Sequence, residues 1–219
     1  MPADYNRGLT TVQPGRSPLL TAAADQLVLA GRRFDTRGWV MGTSGNFSVV
    51  VSPRPLKLLM TPSGAHKGRL KASDLLVVDG QGHAKSGARK PSAETLLHLE
   101  IVRGRGAGAV LHTHSVWSTI LSERHAHAGG LAIEGYEMLK GLSGVETHEH
   151  TEKVPIVENS QDYIALAHVI ENVIRENAGI HGIYLRRHGL YTWGETVAEA
   201  RRHVEIFEFL FEVLGRQKT

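Results

Sequence analysis

Two kinds of apolar pattern alternate along this chain, and the alternation limits its fold more than any other feature. Helical spacing puts Leu20, Ala24, Leu27, Gly31 and Phe34 on one face. Ser17 and Pro18 precede them as a capping side chain and a favoured first-turn residue, and Gly38 closes the stretch. Strand-like runs follow over residues 47–51, 56–60 and 75–78. A helix is expected from Ser92 to about Arg103, a strand over 109–114 and a helix over 116–122. Residues 162–177 read as an amphipathic helix with Leu166, Val169, Ile170, Val173 and Ile174 inward and Gly179 as its stop. A strand over 183–188 precedes a last helix, opened by a capping box of Thr196 and Glu199, that buries Val197, Ala200, Val204, Phe207, Phe211 and Leu214. No long linker, repeat or low-complexity tract interrupts the series. The economical reading is one α/β domain over residues 17–219 behind a mobile leader over residues 1–16.

Composition removes several function classes. The 219 residues suffice for a sizeable core. There is no cysteine, which excludes disulfides and thiolate metal sites and agrees with a reducing cytoplasm. No secretory signal or apolar run of about 18 residues is present, so no membrane association is expected. The formal charge is +3 and the basic residues are scattered rather than striped, which argues against nucleic acid and suits a small anionic substrate. Thirteen histidines stand out. Without cysteine, a transition-metal site must be built from imidazoles and carboxylates.

Three His-x-His pairs occur: His125/His127 beside two glycines, His148/His150 in a charged stretch, and His112/His114 on an apolar run. Only the last falls on a convincing strand. Side chains at i and i+2 share one face there, so their imidazoles can converge on one ion. A third ligand is expected of a catalytic zinc site, and His188, before Gly189 at the end of a strand-like run, is the best candidate. Spacing alone leaves this constellation balanced against chance or ordinary hydrogen bonding.

Two glycine loops, Ser44-Gly45-Asn46 and Thr61-Pro62-Ser63-Gly64, carry backbone and side-chain donors suited to an oxyanion. His66, Lys67 and Lys90 could add positive charge, and Ser92 heads a predicted helix whose dipole favours a phosphate. Such clusters are more often plain turns. Glu94, in the first turn of that helix, could point with Ser92 into the same cleft, but spacing alone favours a dipole-complementing surface acid. Glu137, in a glycine-bounded stretch, reads equally as a solvated carboxylate.

Taken in order, Gly42-Thr-Ser-Gly-Asn-Phe-Ser48, Thr61-Pro-Ser-Gly64, Lys90-Pro-Ser-Ala-Glu94, Ala109-Val-Leu-His-Thr-His114 and Arg187-His188-Gly189 resemble the class II aldolase family. The resemblance spans roughly residues 18–215. It implies a three-layer α/β/α sandwich around a mixed, mostly antiparallel sheet, and homotetramers with active sites near subunit boundaries. It implies one Zn2+ per subunit on His112, His114 and His188, and a phosphorylated ketose held by Asn46, Ser63, Gly64 and Ser92; Lys90 is counted with these binding residues from its place beside Ser92 alone. Many members have serine where this chain has Ala93, so one hydroxyl donor is missing here.

The stretch Tyr136-Glu-Met-Leu-Lys-Gly141, followed by Val154-Pro-Ile-Val-Glu-Asn159, most resembles members that dehydrate 5-methylthioribulose 1-phosphate in methionine salvage. In those, the carboxylate matching Glu137 is the implied acid/base. In the aldolases it is the one matching Glu94. The alternatives are an aldolase or epimerase acting on another sugar phosphate, or a non-catalytic adaptor on the same fold.

Overall fold

The computed structural model describes residues 18–84, 87 and 89–217. The expected leader over residues 1–16 lies outside them. Among these residues five α-helices flank one sheet: α1 (Pro18–Thr36), α2 (Thr95–Arg105), α3 (Val116–Arg124), α4 (Tyr163–Glu176) and α5 (Val197–Arg216). The strands are β1 (Asn46–Pro53), β2 (Leu56–Met60), β3 (Leu76–Asp79), β4 (Ala109–Thr113), β5 (Gly130–Ile133), β6 (Glu152–Val157), β7 (Gly182–Leu185) and β8 (Gly189–Gly194). Their spatial order is β3-β2-β1-β4-β8-β7-β6-β5, and every neighbouring pair is antiparallel except β6–β7. The expected mixed, mostly antiparallel α/β architecture is what forms. No helix among the described residues is long and apolar enough to cross a membrane.

Strand alternation sorts the core into two sides. Val110, Ile183, Leu185, Tyr191 and Trp193 face α2 and α4. Ala109 and Leu111 face α1 and α5, while Tyr184 and Leu190 pack with α3 and α5. That parity puts His112, two residues after Val110, on the α2 side, where its ring stacks on Tyr191 of β8 at 3.9 Å between centroids.

Three strands went unread in the sequence. β8 is buried on both faces and begins and ends in glycine, so it lacks alternation. β6 contains Pro155 and a fully buried Glu152, both of which argue against a strand. β5 is only four residues long.

Helix ends also shifted. Ser92 does not open α2 directly: its carbonyl accepts from the Thr95 N–H at 3.1 Å in a turn, and Glu94 occupies the cap position. α4 stops at Asn177 rather than Gly179. At the start of α5 the Thr196 hydroxyl accepts from the Glu199 N–H. The Glu199 carboxylate accepts from Glu195 N–H, so the expected box closes one residue earlier.

Candidate active site

β4 ends at the sheet's centre, and its last residues deliver two imidazoles to one spot. His112 Nε2 lies 2.7 Å from His114 Nε2 and 3.3 Å from His188 Nε2. His188 arrives from the turn between β7 and β8, where Arg187 takes a left-handed φ of 54°. That conformation costs a non-glycine residue on the order of 1 kcal/mol. Arg187 is held in it by an N–H bond to Ser122 Oγ and by ion pairing with Glu123. Gly189 then lets β8 pass against β4, since a side chain there would run into the Thr113 carbonyl.

The hydrogen bonds decide which nitrogens are free. His112 Nδ1 donates to the Leu190 carbonyl at 2.9 Å, and His188 Nδ1 to Asn159 Oδ1 at 3.2 Å. Both Nε2 atoms therefore carry lone pairs facing the cluster. Burial holds all three histidines below their ordinary pKa, His114 at about 3, with repulsion from neighbouring imidazoles adding to it at His112 and His114 and the Glu94 charge opposing it at His188, so the rings are neutral. Neutral imidazoles with converging lone pairs are the form that binds a metal. Nitrogens about 2.0–2.1 Å from one tetrahedral ion stand roughly 3.3 Å apart. His112 and His188 match that spacing, and His112 and His114 are closer, at 2.7 Å. The donor set fits a divalent metal, and it is the one such cluster among the described residues.

Glu94 completes the group. It is 7% exposed, with Oε1 3.3 Å from His188 Nε2 and Oε2 3.5 Å from His112 Nε2. It is thus a buried site carboxylate and not the surface acid that spacing allowed. A hydrogen-bonded series behind it escaped the sequence reading. Asn46 Nδ2 donates to Glu94 Oε2 at 2.6 Å, Asn46 Oδ1 meets His98 Nε2 at 2.5 Å, and His98 Nδ1 meets Ser48 Oγ at 2.8 Å. His98 is fully buried, and burial pushes its pKa down to about 3. The signal was available: His98 lies four residues after Glu94, one helical turn on the same face.

Beside Glu94 is a cavity of about 170 Å³ lined by the two glycine loops, Ser92, Lys67 and His114. Asn46, Ser63, Gly64 and Ser92 meet there. Ser92 Oγ accepts from the Glu94 N–H at 3.3 Å. Lys90 lies outside this cavity. It is exposed, lines the neighbouring cleft, and contributes its carbonyl to the Ser63 N–H at 3.0 Å.

Glu137 is not brought to the imidazoles. Its carboxylate is 74% exposed and bonds Lys140 Nζ at 2.9 Å, with His148 at 4.0 Å. Lys140 holds its pKa below the usual carboxylate value, the reverse of the upward shift expected for a dry cleft. The other two His-x-His pairs stay outside the cluster; His150 bonds the buried Glu152 at 3.0 Å.

Known proteins resemble this chain over most of its length. The chain is 47% identical over 194 residues to the methylthioribulose-1-phosphate dehydratase of Methylococcus capsulatus, covering 88% of this chain and 93% of that one. It is 44% identical over 188 residues to the dehydratase of the same name from Pseudomonas aeruginosa, covering 85% and 90%. Among solved structures, L-fuculose-1-phosphate aldolase from Thermus thermophilus superposes with a TM-score of 0.69 at 26% identity, over 90% of this chain and 93% of that one. YgbL from Klebsiella pneumoniae does so at 0.75 and 26%, over 93% and 94%. With residues 25–214 matching its sequence pattern, the chain belongs to the class II aldolase and adducin N-terminal domain family.

Proposed function

We propose that this chain, as a single class II aldolase-like domain over residues 17–219, is a zinc-dependent dehydratase of 5-methylthioribulose 1-phosphate. The product is 2,3-diketo-5-methylthiopentyl 1-phosphate, and the enzyme serves methionine salvage in the cytoplasm. The observation that carries the reading is the convergence of three neutral imidazole lone pairs with the buried Glu94 carboxylate beside a donor-lined cavity. The dehydratases named above supply the substrate.

The reaction removes a proton from C3 and hydroxide from C4, and the resulting enol becomes the C3 ketone. Its barrier is the negative charge that grows on the substrate oxygens as the C3 proton leaves. A zinc ion held by His112, His114 and His188 supplies Lewis-acid stabilisation of that charge. Asn46, Ser63, Gly64 and Ser92 hold the phosphate, so that binding energy remote from C3 fixes its position. Glu94, kept as a hydrogen-bond acceptor by Asn46, stands where a proton on C3 or its hydroxyl would be taken.

Glu137 is the second acid/base group; parted from Lys140 and buried against substrate, it takes up a proton and passes it to the departing C4 hydroxyl. Its exposed position on one subunit fits delivery into a neighbouring subunit's site in a homotetramer.

Product analysis tests the reading. The zinc-loaded protein incubated with 5-methylthioribulose 1-phosphate is expected to release the five-carbon diketone. The position of Glu94 also favours an aldol cleavage between C3 and C4, and dihydroxyacetone phosphate as product would establish that reading instead.

A further inference from the structure

We propose that Lys67 is the buried cationic anchor for the substrate's phosphate. This rests on the phosphate pocket described above and adds to it the residue that supplies charge. Lys67 is 1% exposed, and its Nζ donates to the Thr43 and Ala65 carbonyls, both at 2.7 Å. Those carbonyls flank the two glycine loops, Thr43 before the first and Ala65 after the second, so the ammonium ties both loops together. An ammonium has three N–H donors, and the two carbonyls leave one over.

Charge makes the case. Of the described residues lining the cavity, Lys67 alone carries a formal positive charge; Asn46, Ser63, Gly64 and Ser92 are neutral donors, and Glu94 is an acid. Among the described residues no carboxylate is within ion-pair distance of Lys67 Nζ. Burying an ammonium without such a partner is unfavourable. Burial accordingly lowers its pKa to about 8, against which the Glu94 charge pulls upward. Still mostly protonated near neutral pH, it offsets the repulsion that Glu94 exerts on an incoming dianion. An anion bound here restores the balance that the folded chain leaves open.

The backbone around Lys67 is built for that placement. A side chain on Gly31 of α1 would collide with the Lys67 carbonyl, and one on Gly68 would collide with the Asp35 carboxylate. The two glycines let α1 lie directly on the turn over Lys67–Arg69 and fix where its side chain enters.

The test compares the metal-loaded wild type with Lys67→Met, using inorganic phosphate as the probe in calorimetric titration and the phosphorylated ketose in turnover. A charge-assisted hydrogen bond predicts that Lys67→Met binds phosphate roughly 10- to 100-fold more weakly. KM should rise by a similar factor with kcat within a few-fold and metal content unchanged. Equal phosphate affinity in the two proteins would overturn the proposal, as would a wild type that does not bind phosphate. A loss confined to kcat, with KM and phosphate affinity unchanged, would leave Lys67 only as a loop staple and also overturn it. If Lys67→Met does not fold, the wild type labelled with 15N at lysine Nζ gives the answer. Its buried ammonium resonance should move on saturation with phosphate, and a resonance that stays put refutes the role. Phosphate binding that depends on Lys67, in a protein that does not dehydrate the ketose, would sink the proposed reaction and leave this inference standing.

Discussion

His98 Nε2 and Asn46 Oδ1 stand 2.5 Å apart, and that contact decides which way the Asn46 amide faces. Because Oδ1 is used by the ring N–H, the NH2 group must point to Glu94, and His98 Nδ1 is left to accept from Ser48 Oγ. A buried neutral histidine on α2 therefore fixes the donor that keeps Glu94 an acceptor. His98→Phe keeps the ring volume and removes both nitrogens. It leaves Asn46 Oδ1 and Ser48 Oγ buried without these partners, at a cost of about 1–3 kcal/mol. With the amide free to turn over, turnover is expected to fall by at least about tenfold while metal content holds. Urea melts, metal analysis and initial rates check this; unchanged turnover would show that the series only packs the core.

Metal retention tests the cluster itself. His188→Ala removes a half-buried ligand on a turn, so the fold should survive while bound zinc falls well below about one per subunit after dialysis. His112→Ala should lose metal and activity together; a variant that kept stoichiometric zinc would contradict the clamp. Protons compete for the same lone pairs, but only as pH approaches the lowered pKa values, about 3 for His114. The wild type should therefore hold its metal through the ordinary histidine pKa of about 6.5, and release at that pH would count against the geometry.

Glu137 and Glu94 separate by where they act. Glu137→Gln should retain zinc, being remote from the imidazoles, and lose turnover by orders of magnitude. If Glu137 serves a neighbouring subunit, mixing unfolded-and-refolded Glu137→Gln with His112→Ala subunits should restore activity. Random assembly with one group from each of two subunits gives up to about a quarter of the wild-type sites. Near-normal turnover of Glu137→Gln alone would remove it from the mechanism. Glu94→Gln should also lose turnover, yet no mixture with His112→Ala should recover it, since both groups belong to one subunit's cluster.

What the sequence made legible follows from local rules. The His112/His114 pair was readable because strand parity alone puts two imidazoles on one face. The arrival of His188 was a matter of tertiary pairing, β8 against β4, and β8 carries no alternation that reveals it as a strand. Glu94 was ambiguous because a helix-start acid looks the same whether its helix begins at the surface or, as here, over a buried site. Lys90 was named over Lys67 as the cation of the phosphate site, and the structure places Lys67 at the cavity instead. The difference between them is burial beneath α1, set by Gly31 and Gly68, which no single-residue pattern encodes. Glu137 was expected as an acid/base group on the strength of resemblance, and one chain alone leaves it exposed beside Lys140.

Glu208, on the opposite side of the sheet from the imidazoles, gives a stability prediction independent of the chemistry. It is 2% exposed, accepts from Thr113 Oγ1 at 3.3 Å, and its Oε2 is without a partner. Burial pushes its pKa up from 4.5 to about 7. Between those two values the folded chain binds more protons than the unfolded one, so this group's contribution to stability falls as pH rises through the window. Below the unfolded pKa both states are protonated and nothing is lost; above about 7 the full cost of a buried carboxylate is present. A shift of that size corresponds to at most about 3 kcal/mol. Glu208→Gln has the same shape and never ionises, so the variant should gain on the wild type as pH rises, by up to that amount at pH 8. Urea melts of both proteins from pH 5 to 8 give the difference, in which all other titrating groups cancel. A difference that stays flat across the range would mean that Glu208 is solvated when it ionises.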